Sequence, residues 1–458
     1  MTQTGIVHLG LGAFFRAFGV PWIAEAMAAK GGDWAVTGVS LRAPSVRDQL
    51  AAQEFAYHTL ERGAQGVVAR RITALKGVLV APEDPQKLVD AMADPTVSIV
   101  SLTITEKGYC YSPAKDGLDL SSPGIVHELA NPELPETAPG FIVAALAQRR
   151  ARGLRPFTCL SCDNLPENGH ILRRVVLDLA RRVDPMLAGW IAAEGRFPCT
   201  MVDRIVPATT QADIDEVERL TGIRDAGAVM HEPFRQWVIE DDFVDGARPE
   251  FEAVGVQMVT DVAPFEHMKL RCLNGTHSAL AYLGTLAGYR TVVEAIGDGH
   301  VAGFIKALWH DEIIPSFDAP PGVDVADYVT QLLARYENPA IQHHLLQIAM
   351  DGSQKLPQRI LATIADNLAA GRSVDRLALV VAGWMHFLRD GTWEINDPLA
   401  GNLQTTARAV DPVAEMLKLD AIFAPGLTTD PLFRAAICNA YQKFLDRPVT
   451  AVLKEMST

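Results

Sequence analysis

The stretch IVHLGLGAFFRA, residues 6–17, decides the fold of this chain. Ile6 to Leu9 is a short apolar run that the turn Gly10-Leu11-Gly12 closes, and an amphipathic segment continues to about Ala29. The pattern predicts a strand, a glycine turn and a helix. In a dinucleotide-binding βαβ unit, such glycines let the backbone approach a pyrophosphate at the start of the helix. Two of the usual three glycines are present, so a chance turn is the alternative.

Two later apolar runs strengthen the first interpretation. Residues 34–41 (WAVTGVSL) follow at the distance expected for a second strand, and residues 97–104 (VSIVSLTI) are typical of a later parallel one. From about Pro264 the pattern changes to helical periodicity with short Pro or Gly breaks. We therefore predict a Rossmann-type, doubly wound α/β domain over residues 1–262 and a mostly α-helical substrate-binding and catalytic domain over residues 263–458.

The charge balance and the cysteine content limit the kinds of partner and the compartment that we expect. The chain has 41 Lys plus Arg and 55 Asp plus Glu, a formal charge of −14 that disfavours nucleic acid and anionic membrane. Six cysteines are too few for a disulfide framework, and the N-terminus lacks the pattern of a secretory signal, so we expect a cytoplasmic protein. The apolar run 377–388 is too short to span a bilayer. A small-molecule partner and a monomer or weak homo-oligomer are the expectation.

A metal site is not expected from the cysteines. Cys159 and Cys162 have CxxC spacing, but a predicted strand over residues 157–162 sends them to opposite faces, and no second pair exists.

A polar cluster stands inside the apolar segment 265–289 (FEHMKLRCLNGTHSALAYLGTLAGY). An α-helix turns about 100° per residue, which places Asn274 about 140° and His277 about 80° from Lys269. All three side chains then lie on one side of the helix and can hold a substrate oxygen.

Three further polar stretches have both a functional and a structural interpretation. MDGSQKLPQR (350–359) is either a loop that ends a helix or a source of two cations for an anionic substrate. TEKGYC (105–110) follows a predicted strand at the edge where ligands bind, or is a polar loop. Asp203 and Arg204 are either structural, by pairing with each other or capping neighbours, or part of the site.

Several motifs together resemble a known family. GLGAFFRA, SCDNLPENG, MVDRIVP, EPFRQWVIED, KLRCLNGTH and DGSQKLPQR occur in this order over most of the chain. They resemble the polyol-specific long-chain dehydrogenases, also called the mannitol dehydrogenase family. The resemblance implies a zinc-independent enzyme with an N-terminal Rossmann-type domain, a helical C-terminal domain and a nicotinamide cofactor, NAD, with NADP not excluded.

The same resemblance implies roles for individual residues. Lys269 matches the general base of the motif K-x-x-x-x-N-G-[ST]-H; Asn164, Asn274 and His277 match its partners, and Glu266 matches a position of proton exchange with solvent, an exposed helical Glu being the alternative. A lysine base near neutral pH requires a pKa below the usual value of about 10.4. The predicted cofactor-binding residues are Gly10, Gly12, Ala13, Phe14, Arg16, Arg42, Thr103 and Asp203.

Arg42 bears on the cofactor. The end of the second strand usually presents an acidic residue to the adenosine ribose, but Ser40-Leu41-Arg42 has none. Arg42 either favours a 2′-phosphate or is a plain surface charge.

Within the family, TEKGYC, Arg271 and QIAMDGSQKLPQR are closer to the fructuronate reductases (mannonate oxidoreductases) than to the mannitol 2-dehydrogenases. A carboxylate substrate explains extra cations, for which Lys355 and Arg359 are the first candidates and Lys107 and Arg271 the second. The predicted reaction is interconversion of D-fructuronate and D-mannonate. The alternatives are mannitol or arabinitol 2-dehydrogenation, tagaturonate reduction and, in another class, a non-catalytic nucleotide-sensing protein. Phe15 and Phe18 depart from the family pattern, which often has His there.

Overall fold

The computed structural model describes residues 3–457 and divides the chain into two compact units, Met1–Ala263 and Pro264–Thr458. The strands, in chain order, are β1 (Thr4–Leu9), β2 (Ala35–Ser40), β3 (Tyr57–Gly63), β4 (Gly66–Ile72), β5 (Leu75–Val80), β6 (Ile99–Leu102), β7 (Tyr111–Ser112), β8 (Gly117–Leu118), β9 (Thr158–Ser161), β10 (Thr200–Asp203), β11 (Val229–His231), β12 (Gln236–Glu240) and β13 (Gln257–Val259).

The first unit is built on a five-stranded parallel sheet in the order β5-β2-β1-β6-β9. The chain runs outward from β1 to β2 on one side and continues with β6 and β9 on the other, which is the doubly wound arrangement. The strand order therefore reverses between β1 and β6, where such sheets bind ligands. The Rossmann-type prediction is confirmed.

In the described part of this unit, nine α-helices accompany the strands: α1 (Ala13–Ala17), α2 (Gly19–Lys30), α3 (Ser45–Ala51), α4 (Pro85–Met92), α5 (Pro123–Ala130), α6 (Ala138–Ala151), α7 (Asn168–Val183), α8 (Pro185–Glu194) and α9 (Gln211–Thr221). Alternate residues of β1 reach opposite faces of the sheet. Val7 and Leu9 belong to one apolar core and Ile6 to the other. Cys159 and Cys162 are separated in the same way, as predicted.

The long helix predicted after the glycine turn is wrong in one respect, because the segment is broken at Phe18 into α1 and α2. The break buries two aromatic rings that a straight helix would place differently. Phe15 stacks on His8 with ring centroids 3.3 Å apart, and Phe18 packs against Trp237 at 5.3 Å. The two departures from the family pattern are thus apolar core residues.

Two smaller sheets complete this unit and were not predicted. One is β11-β3-β4, in which β3 and β4 form an antiparallel hairpin; the other is β10-β12-β13. The short strands β7 and β8 pair with each other.

The second unit is helical, as expected. Its α-helices are α10 (Ala263–Lys269, beginning at the last residue of the first unit), α11 (Thr276–Ala279), α12 (Val292–Gly297), α13 (Gly299–Ala307), α14 (Val325–Tyr336), α15 (Leu345–Ile348), α16 (Gly352–Leu356), α17 (Ala362–Ala369), α18 (Asp375–Asp390), α19 (Ala400–Ala407), α20 (Pro412–Met416), α21 (Pro425–Thr428), α22 (Pro431–Asp446) and α23 (Val449–Met456). Up to residue 457, four π-helical segments interrupt them: Leu270–Gly275, Leu280–Gly284, Leu308–Ile313 and Pro357–Leu361.

The helix α18 forms the centre of this unit. Eleven of its residues are buried, among them Leu377, Trp384 and Leu388, because the apolar run predicted as a core helix has neighbours on nearly every side. Among residues 3–457, no helix is both long and apolar enough to cross a bilayer.

Candidate active site

Lys269, Asn274 and His277 lie on one helical segment that is not a regular α-helix. Lys269 ends α10, the π-helical turn Leu270–Gly275 follows, and α11 begins at Thr276. The expectation of about 100° per residue is therefore wrong between Lys269 and Asn274. In a π-helix the hydrogen bonds run from residue i to i+5 and each residue turns the chain by less than in an α-helix, so residues five apart lie on nearly the same side. The π turn aligns Lys269 with Asn274 more closely than an α-helix does, and π turns often occur at functional sites.

Lys269 and His277 are both withdrawn from solvent, with exposed fractions of 7% and 8%. Asn274 and Glu266 are half-buried. The His277 ring lies 5.1 Å from the Tyr336 ring and 5.2 Å from the His343 ring, centroid to centroid. Burial lowers the pKa of His277 well below its usual value, and the positive charges of Arg359, Arg335 and Lys269 lower it further. The His277 imidazole is therefore neutral near pH 7.

Arg359 stands beside this segment. Gly275 permits the approach, because a Cβ on it would lie 3.1 Å from the Arg359 carbonyl oxygen. The Arg359 guanidinium donates a long hydrogen bond of 3.5 Å to the Ser278 hydroxyl. Burial lowers the pKa of Arg359, and the guanidinium forms no ion pair with a carboxylate among residues 3–457. A mostly buried cation without a counter-charge is a strong site for an anion.

The other predicted substrate-binding cations differ in their surroundings. Lys355 is half-buried and its ammonium group lies 3.4 Å from the Ile348 carbonyl oxygen. Arg271 pairs with Asp366 and donates to the Ser316 carbonyl at 2.6 Å. Its guanidinium is thus committed to partners within the helical unit. Lys107 is exposed in a short 3-10 turn of the first unit.

The glycine turn at the end of β1 has the shape that the sequence predicted. Gly10 has φ of +85°, and a Cβ on it would lie 2.2 Å from the Thr103 carbonyl oxygen, so only glycine fits. The Thr103 hydroxyl donates to the Gly10 carbonyl at 2.9 Å and lies 2.9 Å from His8 Nε2. Gly12 is exposed, and a Cβ on it would meet only the Gly10 carbonyl, at 3.8 Å. The backbone at Gly12 is therefore open to a ligand.

The remaining predicted cofactor residues divide by exposure. Ala13 and Phe14 are half-buried, and Arg42 is exposed just after β2. Arg16 is buried and donates to the Gly227 carbonyl at 2.5 Å, so its position is structural. Asp203 is buried at the end of β10, which belongs to the β10-β12-β13 sheet and not to the parallel sheet.

Arg204 caps the carbonyl groups of neighbouring segments, which is one of the structural alternatives considered for it. The Arg204 guanidinium donates to the carbonyl oxygens of Ala17 at 2.7 Å and Phe234 at 3.1 Å. It joins the end of α1 to the loop before β12.

Asn164 is exposed and follows the C-terminal end of β9. The preceding residue, Asp163, fixes the neighbouring loop after β6. Its carboxylate accepts hydrogen bonds from the N–H groups of Ile104 and Thr105, both at 2.9 Å, and from the Tyr109 hydroxyl at 2.7 Å. SCDN and TEKGYC therefore form one hydrogen-bonded edge of the parallel sheet.

One group in the described residues has the ligand types of a metal site. His170, Cys199 and Glu240 each offer a ligand atom, and these atoms lie within 4.8 Å of one another. The Glu240 carboxylate already accepts from the Cys199 N–H at 2.8 Å, which gives it a structural role. The group lies in the first unit, apart in sequence from Lys269.

Two family models match consecutive parts of the chain. The mannitol dehydrogenase Rossmann domain matches residues 4–253, and the mannitol dehydrogenase C-terminal domain matches residues 261–445. The chain belongs to the mannitol dehydrogenase family. It is an oxidoreductase of that family.

Members of the mannitol dehydrogenase family with different activities are similar to this chain. The D-mannonate oxidoreductase of Escherichia coli is 43% identical over 97% of this chain and 94% of its own. The mannitol 2-dehydrogenase of Aspergillus fumigatus is 41% identical over 96% and 90%. The solved structure of Pseudomonas fluorescens mannitol 2-dehydrogenase, a ternary complex with NAD and D-mannitol, has a TM-score of 0.87 at 40% identity, covering 99% of this chain and 94% of that one.

Three residues beside the family motifs were missed by sequence reasoning. Tyr336 and His343 contact the His277 ring. Arg335 is buried, and its positive charge lowers the pKa of His277. Arg335 and Tyr336 end a helix with regular apolar periodicity, and residues in such a position usually have a structural role. The pair His343-His344 stands in a loop and carried no motif.

Proposed function

We propose that this chain interconverts D-fructuronate and D-mannonate by reversible hydride transfer with NAD. The observation that carries the proposal is Arg359, a mostly buried guanidinium that forms no ion pair with a carboxylate in the described part of the chain. The charge of Arg359 acts on His277, and His277 shares one helical segment with Lys269. A neutral polyol leaves such a cation without a counter-charge, whereas a sugar acid supplies one.

The support for NAD is the glycine turn together with the Rossmann family model. The open backbone at Gly12 would face the pyrophosphate, and Gly10 would hold the turn against Thr103. When bound, the nicotinamide supplies or accepts the hydride at the carbonyl carbon. Arg42, at the end of β2, keeps NADP as a second cofactor to be tested.

We assign the proton step to Lys269. In the direction of reduction, the Lys269 ammonium group gives its proton to the developing alkoxide; in oxidation the neutral amine takes the hydroxyl proton. Asn274, aligned with Lys269 by the π turn, donates a side-chain N–H to the same oxygen. Asn164 is kept as a second amide donor on the family motif alone, and Glu266 as the group that exchanges the proton with solvent.

His277 has a different task because its imidazole is neutral. A neutral imidazole has one donor and one acceptor nitrogen, and His277 Nε2 is buried with no hydrogen-bond partner among residues 3–457. We assign this nitrogen to a substrate hydroxyl group. Lys355 and Arg359 are assigned to the carboxylate, which in fructuronate lies at the far end of the chain from the carbonyl.

A spectrophotometric screen tests the proposal. Oxidation of NADH and of NADPH is followed with fructuronate, tagaturonate, fructose and xylulose. We expect the highest kcat/KM with fructuronate and NADH; a clear preference for fructose or xylulose would replace the sugar acid with a polyol substrate. The same assay after EDTA treatment addresses His170, Cys199 and Glu240. Activity is expected to persist, and loss that zinc restores would contradict a metal-free reaction.

A further inference from the structure

His343 lies on a loop whose backbone is fixed by hydrogen bonds. It lies in the loop between α14 and α15, where its N–H donates to the Ile341 carbonyl at 3.1 Å and its own carbonyl accepts from the Val292 N–H at 3.0 Å. The next residue, His344, forms an antiparallel bridge with Thr291. The backbone that carries the His343 imidazole is therefore fixed by hydrogen bonds on both sides of the residue.

The ring of His343 packs edge-on against His277. The two ring centroids are 5.2 Å apart and the planes cross at 84°. His343 Nδ1 and His277 Nε2 are both buried, and neither has a hydrogen-bond partner within residues 3–457. Buried polar atoms in folded proteins nearly always have a partner, so two unpartnered nitrogens on neighbouring rings indicate a polar ligand.

The part of the ligand that binds these two nitrogens is expected to carry no charge. Burial lowers the pKa of His343 to about 4, and the charges of His344 and Lys355 act in the same direction. His277 is held neutral as well. Two neutral imidazoles match a hydroxyl group, which both donates and accepts a hydrogen bond, better than they match a carboxylate, which only accepts.

The two histidines lie between two lysines in the sequence of interactions along the site. Lys269 acts electrostatically on His277, His277 contacts His343, and Lys355 acts on His343. The two imidazoles thus connect the lysine assigned to the proton with a cation assigned to the acid end. A carbon chain that engages both lysines carries its middle hydroxyl groups past the histidines.

We propose that His343 is a specificity-determining residue that binds a hydroxyl group in the middle of the substrate chain through its buried Nδ1. The inference rests on the proposed function for the acid end of the substrate. The hydroxyl contact itself applies equally to a polyol chain.

Two substitutions separate hydrogen bonding from packing. His343→Asn keeps a polar atom near the position of Nδ1, whereas His343→Leu keeps much of the volume and removes every polar atom. His344→Leu is the matched control, since His344 is the exposed neighbour in the same loop. The kcat/KM of each variant is measured with the preferred substrate and with analogues that each lack one hydroxyl group.

The unmodified enzyme should discriminate against at least one mid-chain deoxy analogue by about tenfold or more, which corresponds to one good hydrogen bond of about 1.4 kcal/mol. His343→Leu should abolish that discrimination at one position, His343→Asn should retain most of it, and His344→Leu should retain all of it. Unchanged discrimination in His343→Leu would overturn the proposal, because a purely structural ring affects all analogues equally.

A binding measurement covers the case in which His343→Leu does not fold. In the full-length enzyme labelled with ¹⁵N-histidine, the Nδ1 resonance of His343 is assigned by its loss in His343→Asn. Saturation with cofactor and the reaction product should shift this resonance, and an unshifted resonance overturns the contact. If the sugar acids prove inactive and a polyol active, the proposed function fails, and the deoxy-polyol series still decides the role of His343.

Discussion

The carboxylate of Asp163 accepts a hydrogen bond from the Thr105 N–H at 2.9 Å and so ties the loop after β6 to the loop that bears Asn164. Thr105 has φ of +64°, a backbone conformation that an L residue rarely adopts and that needs such support. Tyr109 donates to the same carboxylate at 2.7 Å. The edge of the sheet between TEKGYC and SCDN is thus fixed by one side chain.

Asp163→Asn should destabilise the first unit. An amide in place of the carboxylate presents an N–H to at least one of three donors and leaves a largely buried group unsatisfied, at a cost of about 1–3 kcal/mol. We expect a lower melting temperature and faster hydrogen exchange at residues 104–109. Glu133→Gln, an exposed carboxylate-to-amide change in the same unit, is the control. Equal effects of the two variants would remove the positioning role.

Lys269→Ala should reduce kcat by several orders of magnitude with nearly unchanged cofactor binding, because it removes the group assigned to the proton step. Small primary amines added to the assay should restore part of the activity. Lys306→Ala, an exposed lysine of the same unit, should leave kcat unchanged. A Lys269→Ala enzyme with normal turnover would exclude Lys269 as the base.

Arg359→Gln should raise the KM for fructuronate far more than the KM for fructose, because only fructuronate has a carboxylate that can bind the guanidinium. Arg271→Gln is the matched change at a guanidinium already engaged by Asp366 and Ser316. It should lower the melting temperature and change the KM of both sugars alike. A common effect of Arg359→Gln on both sugars would argue against the carboxylate contact.

Arg42→Asp should shift cofactor preference towards NADH. The exposed guanidinium after β2 attracts a 2′-phosphate, and a carboxylate there repels it while accepting from a free ribose hydroxyl. The measurement is the ratio of kcat/KM for NADH and NADPH in the two enzymes. Arg47, which pairs with Asp48 and Glu83, offers the control variant Arg47→Asp. An unchanged ratio in Arg42→Asp would make Arg42 a plain surface charge.

Acid should destabilise the helical unit through its buried histidines. The pKa of His343 is about 4 in the folded chain against about 6.5 in an unfolded one, so unfolding takes up a proton between these values. Stability is therefore complete above pH 6.5 and falls as the pH drops towards 4, by up to about 1.4 kcal/mol per pH unit for each such histidine. Denaturant unfolding across this range should show the slope, and His343→Asn should reduce it. If His343→Asn leaves the pH dependence of stability unchanged, the lowered pKa of His343 is not its cause.

Local patterns in the sequence predicted the elements that depend on neighbours in the chain. The glycine turn at Gly10 and the apolar runs on both sides of it predicted the parallel sheet, because this order of strand, turn and helix is typical of a doubly wound fold. The β3-β4 hairpin was missed although Gly63 and Gly66 flank a two-residue loop between its strands. Two glycines that flank a two-residue loop are a local signal for a β-hairpin.

Other features depend on contacts far apart in sequence, which no periodicity records. The burial of Arg359 without a counter-charge and the ring of His343 against His277 arise from packing between separate helices. Asn274 was placed about 140° from Lys269 because an α-helix was assumed. The sequence of a π turn has no distinct pattern, so its geometry emerged only with the structure.

The π turn Leu270–Gly275 lets the helical segment hold one residue more between Lys269 and His277 without turning the two side chains apart. Such a turn contains one residue more than the α-helical turn it replaces. Winding the same residues as a regular α-helix would rotate His277 by about 100° relative to Lys269, although both side chains would still be present. The common direction of the two side chains therefore depends on the π turn as much as on the residue types. A substitution within residues 270–275 that favours regular α-helical winding is expected to impair the site even where Lys269 and His277 are kept.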